Sequence, residues 1–492
     1  MRNRCAGVMI AAFVAFTEAK AQQLGSIRFP TSGAAAAQPK FIEGVKDLHS
    51  FEFDEAAEAF HQAQRIDPGF ALAYWGEAMS YNHPLWAEQN LDAARKALET
   101  LAPTLEGRVA KAHTEKEKAF LEAANQLFYA PGDKLARDNA YSDAMARLYE
   151  RWPEDPEVDI FYALALLGTV RLEDKGFRRQ ALAASICMKV FQENPDHPGA
   201  AHFIIHAFDD PDHAILALPA ARVYARIAPA APHALHMPSH IFLQLGMWQE
   251  VFASNTVGYK AAVDLMMRMH LPEGGADFHA LSWLEYANLM LGKFDEARHN
   301  VDLAKQAADR NPTNPGIARE YHVMLARYIL ETGRWEKVPL ESAPGRLGNP
   351  WVFISGFSAA KLGDASAAEA ARAALAAIRQ GIAGDSHIAT AVAVLENEVA
   401  AAAQLARGQK AEAMRLAKAA ADIESTMPTP NGPPPIIKPA LEFYGEMLLE
   451  AGRRAEAAAA FRQQLLRTPN RTPSVEGLAR ASAKGGAESA RK

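Results

Sequence analysis

LGKFDEARHNVDLAKQA, residues 291–307, places Gly292, Phe294 and Ala297 in the pattern G-x-aromatic-x-x-A, followed by apolar residues at helical spacing. Glycine permits a tight reversal of the chain, and a small alanine lets two helices approach closely. The same turn recurs as GMWQEV at 246–251, GRWEKV at 333–338, GDASAA at 363–368, GQKAEA at 408–413 and GRRAEA at 452–457. The successive glycines lie 46, 41, 30, 45 and 44 residues apart, so the repeat carries insertions in places. A repeat of this length predicts stacked supersecondary units, each burying its apolar face against the next.

Outward from that stretch, almost every segment after Pro39 is rich in Ala, Leu, Glu, Lys and Arg with a 3.6-residue apolar period. No run shows the alternation of a strand. A first copy, FEFDEAAEAFHQAQRIDP at 51–68, carries Ala56, Phe60, Ala63 and Pro68, and a last copy carries Ala457, Phe461 and Pro469. These residues resemble the tetratricopeptide repeat (TPR) family, whose unit is a pair of antiparallel helices in about 34 residues. The resemblance covers roughly residues 40–470 and is loose over 103–195. It implies an all-α, TPR-like α-solenoid, a superhelix of about nine to eleven antiparallel helix pairs whose first helices line a concave groove.

The remaining segments are read by composition. Residues 1–21, MRNRCAGVMIAAFVAFTEAKA, have a basic start, a short apolar run and a small-x-small end, the pattern of a secretory signal peptide. The expected location is therefore periplasmic or secreted, of bacterial type. Residues 22–39 read as a flexible leader and 40–426 as the repeat array. Six prolines make 427–439 a stiff loop before a final repeat at 440–470, and the polar stretch 471–492 reads as a disordered tail. No later stretch reads as a transmembrane helix, so no stable membrane insertion is expected after signal cleavage. Lys+Arg 52 against Asp+Glu 58 gives a net charge of −6, which argues against a nucleic-acid partner. Two cysteines exclude a disulfide scaffold, and Cys187, in an apolar helical run, reads as a buried small hydrophobe.

Ten of the sixteen histidines lie between residues 197 and 299. With the turn at Gly246 as reference, the TPR resemblance puts His233, His236 and His240 on the groove face of one repeat. Closing prolines at Pro195 and Pro229 bound the preceding repeat, whose groove face carries His202, His206, Asp209 and Asp210, and His279 falls on that face in the following one. His202/His206 and His236/His240 are i,i+4 pairs, one above the other on a helix, so each pair offers two imidazole nitrogens to one ion. These four are the candidate metal ligands, with Asp209 or His279 completing a four- or five-ligand site. Copper or zinc is favoured by nitrogen donors, with iron and manganese left open. Neither HFIIH nor HMPSH contains the glutamate of H-E-x-x-H, which excludes that metalloprotease class.

Trp75, Glu77, His83, Asp209, Asp210, His233 and His279 are the candidate ligand-binding groove residues. Trp75, Tyr81 and Trp86 make an aromatic platform, and Glu77 needs a partner inside the groove. Met266, Met267, Met269 and His270 form a soft-donor cluster in the inserted stretch 262–279, and Pro272–Gly275 reads as a lid hinge. No catalytic residue is assigned, since G-x-S-x-G, P-loop and G-x-G-x-x-G patterns are all missing. The leading expectation is an exported groove-binding protein that holds a transition metal or an acidic or peptide ligand, its partner a protein, peptide or small molecule. A metal-dependent hydrolytic or oxidative enzyme and a metal-free interaction scaffold are the alternatives, as is a groove whose charge switches near about pH 6.5.

Overall fold

The computed structural model describes residues 23–171, 174, 176–340, 349–382, 384 and 386–483. The signal-peptide reading of 1–21 and the end of the tail, 484–492, fall outside the described residues. The chain is all-α, built of TPR-like helix pairs, and the only ladder among the described residues joins Asn82–His83 to Glu88–Gln89. It divides into two compact units. The first comprises the described residues up to Asp209 together with Ile215–Ile241, and the second comprises Asp210–Ala214 and the described residues from Phe242 onward.

In the first unit Gln38–His49 packs on Phe53–Ile66, which packs on Ala71–Ser80, and the alternation continues to Pro198–Ala207. The helices start where the sequence supplies caps. Thr114 and Glu117 form a reciprocal capping box, Asp155 accepts from the amides of Glu157 and Val158, and prolines open Pro156–Gly168 and Pro198–Ala207. The core is aromatic: Phe41, Phe60, Trp75, Phe120 and Phe161 are all buried. Gly76 makes room for Phe60, because a Cβ there would lie 2.3 Å from the ring.

The segment expected to be a flexible leader is instead part of this core. Phe29 is 2% exposed and packs on Phe41, Trp75 and Phe120, while the Ser32 amide and hydroxyl both donate to Glu117. A single large ring buried among others outweighs the lack of periodicity in 23–36.

The second unit runs from Trp248–Arg268 through Thr472–Ser482, each helix packing on the next. Gly246, Gly292, Gly333, Gly363, Gly408 and Gly452 all adopt positive φ, between 62° and 87°, so the recurrent turn is a left-handed helix end that glycine enters freely. After Gly333 the expected second helix does not start over 334–340. The Val338-Pro339 step disfavours helix, and Glu336 and Val338 are held by the hydroxyls of Ser358 and Ser355 instead.

Three further expectations are corrected in this unit. The tail is ordered through Ala483, because the Arg471 side chain is buried against Glu442 and anchors the helix Thr472–Ser482. His387–Ala406 is long and apolar enough to cross a membrane, with a mean hydropathy of 1.3. Half of it is buried inside the protein, as in a core helix. The 262–279 insertion largely extends the helix Trp248–Arg268, with Met267 and Met269 exposed, and Glu273 of the supposed hinge is tied down by Arg310 and Asn311.

Candidate metal centre

Three imidazoles converge in the first unit. His202 and His206 lie one turn apart on Pro198–Ala207, and His233 lies on Pro232–His236. The His202 Nε2 atom is 3.0 Å from His206 Nε2 and 3.2 Å from His233 Nε2. One nitrogen from each lies within 4.8 Å of the other two. His202 is fully buried and its ring stacks on Tyr224 at 5.1 Å, while His206 and His233 are partly exposed.

Its other nitrogen decides the chemistry. His202 Nδ1 lies 2.7 Å from the backbone carbonyl of His49. A carbonyl oxygen only accepts, so Nδ1 carries the proton and Nε2 presents a bare lone pair. That single lone pair faces two other ring nitrogens and can accept a proton from only one of them. An ion bound tetrahedrally at about 2.0–2.1 Å from each nitrogen would set them about 3.3–3.4 Å apart, close to the spacing seen. Burial, with the neighbouring imidazoles adding to it, pushes His202 down to about 3 and His206 and His233 well below the ordinary histidine value. All three are therefore neutral, the form that ligates metal.

His236 and His240 form a second pair, with Nε2 atoms 3.2 Å apart. Asp209 Oδ2 lies 2.7 Å from His240 Nδ1, so the carboxylate accepts from Nδ1–H and leaves Nε2 with the bare lone pair. This carboxylate–histidine arrangement is typical of ligating imidazoles. The rings of His206 and His240 are 6.1 Å apart, so the five imidazoles form one patch.

The structure brings the two sequence-derived pairs into one patch, each pair with its Nε2 atoms facing each other. His233, placed among the groove residues, joins His202 and His206, and Asp209 bonds His240 Nδ1. Asp210 and His279 belong to the second unit. There Asp210 holds His213 Nδ1 at 2.8 Å, and His279 is exposed beside Trp283.

The remaining groove candidates divide. Trp75 is fully buried in the core and not groove-facing, because its ring fills the space between Phe29, Phe120 and Phe161. Glu77 finds its partners on the neighbouring helix, His61 at 2.8 Å and Gln64 at 2.6 Å. His83 stacks on Phe53 at 4.0 Å, and Trp86 stays half exposed with its ring 6.4 Å from that of His233.

Sequence reasoning missed the residues behind the cluster. His49 Nε2 and His197 Nε2 lie 2.8 and 3.2 Å from opposite oxygens of Glu157, and all three residues are buried. His197 Nδ1 accepts from the Ala200 amide and caps the helix that carries His202 and His206. Burial opposes the Glu157 charge, yet the two histidines outweigh it and hold the carboxyl down to about 2. This triad fixes the end of Gln38–His49, and with it the carbonyl that sets the His202 tautomer.

Phe51 was also missed. Its ring centroid lies 4.4 Å from that of His202 and 5.6 Å from those of His206 and His233. Its φ is 58°, a conformation that costs a non-glycine residue about 1–2 kcal/mol. A signal was available: FEFDEA at 51–56 aligns with GKFDEA at 292–297, so phenylalanine stands where the other turns have glycine.

No family model matches the chain, and no curated protein matches it in sequence. Among solved structures, the human IFIT1 dimer with m7Gppp-AAAA is 14% identical at a TM-score of 0.38, covering 88% of this chain and 94% of that one. Yeast Tom70 is 11% identical at 0.31, covering 91% and 95%. Cut9 with Hcn1, a hetero-tetramer of the APC/C, is 11% identical at 0.36, covering 97% and 82%.

Proposed function

We propose that the protein is a transition-metal-binding helical-repeat protein whose first unit holds an ion on His202, His206 and His233. The observation that carries this reading is the bare Nε2 of His202, fixed by the His49 carbonyl and faced by two further ring nitrogens. An all-imidazole donor set suits copper or zinc, and iron is compatible with it. His236 and His240, with Asp209 behind them, are the donors of a second ion in the same patch. The segment 1–21 supports an exported location for this centre.

A second reading is metal-dependent catalysis. It is supported by the donor count, because three protein nitrogens leave a coordination position for water or another small molecule.

The test is elemental mass spectrometry on untagged protein, before and after reconstitution with copper, zinc, iron and manganese. Wild type is expected to retain near-stoichiometric metal, and His206→Ala or His233→Ala to hold one ion per chain fewer than wild type while keeping helical circular dichroism. Saturation at a thousandfold excess over Kd would raise unfolding stability by about 4 kcal/mol. Wild type that retains no ion after reconstitution would sink the reading.

A further inference from the structure

The helices Glu115–Tyr129 and Lys134–Arg151 pack side by side in the first unit, and a groove runs along the pair. Ala119, Glu122, Ala123 and Gln126 line it from the first helix, and Ala144, Arg147, Leu148 and Arg151 from the second. Both sets follow the spacing i, i+3, i+4, i+7, so each is one continuous helix face. The three alanines are buried and, having no side chain beyond Cβ, leave a low floor. Leu105, Leu148 and the partly buried Trp152 supply the larger apolar surface. The groove has room of about 450 Å³, within the range of small-molecule sites.

Its charges are unevenly answered. Four polar side chains reach the space, Glu122, Gln126, Arg147 and Arg151. The two arginines lie four residues apart, so their guanidiniums leave the helix on the same side. Arg147 is exposed and makes no ion pair among the described residues. Arg151 lies over the Trp152 ring, 4.6 Å from its centroid. Its one carboxylate partner among the described residues, Glu115, is 3.6 Å away and already bonded to Lys118 at 2.8 Å. A guanidinium stacked on an aromatic ring keeps its N–H edge for a planar acceptor such as a carboxylate. Two guanidiniums against the single Glu122 leave the groove positive above an apolar floor.

We propose that this groove binds a small apolar anion, of which an aromatic carboxylate is the type. Its ring system lies on the alanine floor against Leu148 and Trp152, and its carboxylate accepts from Arg147 and Arg151. Glu122, on the other helix, works against the negative charge, so a monoanion is favoured over a dianion. None of the proposed metal ligands lines the groove. The test is therefore run on the metal-free full chain, and failure of the metal reading leaves the inference intact.

The probes are 2-naphthoate and its uncharged isostere 2-naphthamide, titrated by ligand-observed NMR. Both are expected to bind wild type, the naphthoate about fivefold more tightly, as an exposed ion pair allows. Arg147→Gln combined with Arg151→Gln should erase that preference and leave the amide affinity unchanged. Ala119→Leu should weaken both about tenfold by raising the floor, and Ala119→Val serves in the same way if the leucine variant does not fold. The proposal is overturned if neither probe binds wild type at millimolar concentration, if the double arginine variant keeps the naphthoate preference, or if the Ala119 variants bind both as wild type does.

Discussion

A buried cluster in each unit settles its polar groups, and the two do so in opposite ways. In the second unit the Arg471 guanidinium meets Glu442 with two bonds of 2.9 and 3.0 Å, and also bonds Glu331 and the Tyr286 hydroxyl. Lys438 adds bonds to Glu442 and Glu446 at 2.9 and 2.6 Å. Burial works against Glu442, but the cations prevail and hold it down to about 2. Within that cluster each carboxylate is answered by a cation already in the chain. In the first unit one polar cluster is made of imidazoles set nitrogen to nitrogen, and no carboxylate is bonded to the Nε2 atoms that face one another, Asp209 standing on the far ring nitrogen of His240 and Glu157 behind the His49 carbonyl. The second cluster is complete as built. The first is arranged as if to receive a cation, which is why a similar degree of burial reads as stability in one unit and as binding in the other.

The largest effect expected from breaking this contrast is at Arg471. Arg471→Met strands Glu442 and Glu331 in a dry interior and should cost about 3–5 kcal/mol, read by chemical denaturation. Metal retention by the first unit should survive it. Loss of metal together with the fold would show that the two clusters are not independent.

A gain of stability sharpens the same picture. Glu285 in the second unit is fully buried, and neither carboxyl oxygen has a hydrogen-bond partner. Burial pushes its pKa well above the ordinary carboxylate value. The folded state therefore holds a proton that the unfolded chain releases, and stability falls as pH rises above about 4.3. Glu285→Gln should stabilise the unit by about 1–3 kcal/mol at pH 7, with the gain vanishing at pH 4. A gain of equal size at both pH values would mean that the buried proton is not its source.

The smallest effect measures the strain on which the Phe51 comparison rests. Gly292 has a φ of 70°, and a Cβ there would meet nothing within 4 Å. Gly292→Ala should therefore cost about 1 kcal/mol through the backbone alone. A neutral substitution would mean that Phe51 carries no strain worth explaining.

Much of the architecture was legible because it depends on local rules. The glycine turns were read from spacing alone, and all six adopt the left-handed conformation that the pattern requires. The histidine register followed from the TPR resemblance; it put six imidazoles on one face, and five of them, His202, His206, His233, His236 and His240, lie in one patch of the first unit. Pairing could not be read, because i,i+4 spacing says which nitrogens share a helix face and nothing about which face lies opposite. His233 reached His202 across helices, at 3.2 Å, over a separation of 31 residues. Trp75 and Phe29 failed for the converse reason, since a ring's phase on a helix does not reveal whether another segment will cover it.

The sequence by itself determined the helical repeat, its turns and the concentration of imidazoles, all of which follow from spacing along one chain and the geometry of one helix. Only the tertiary structure decided which nitrogen of His202 is bare, which imidazoles face one another, and that Phe51 packs against three of them. Those depend on a carbonyl 153 residues away and on rings brought together from separate helices. Long-range packing sets them, and no local pattern encodes it.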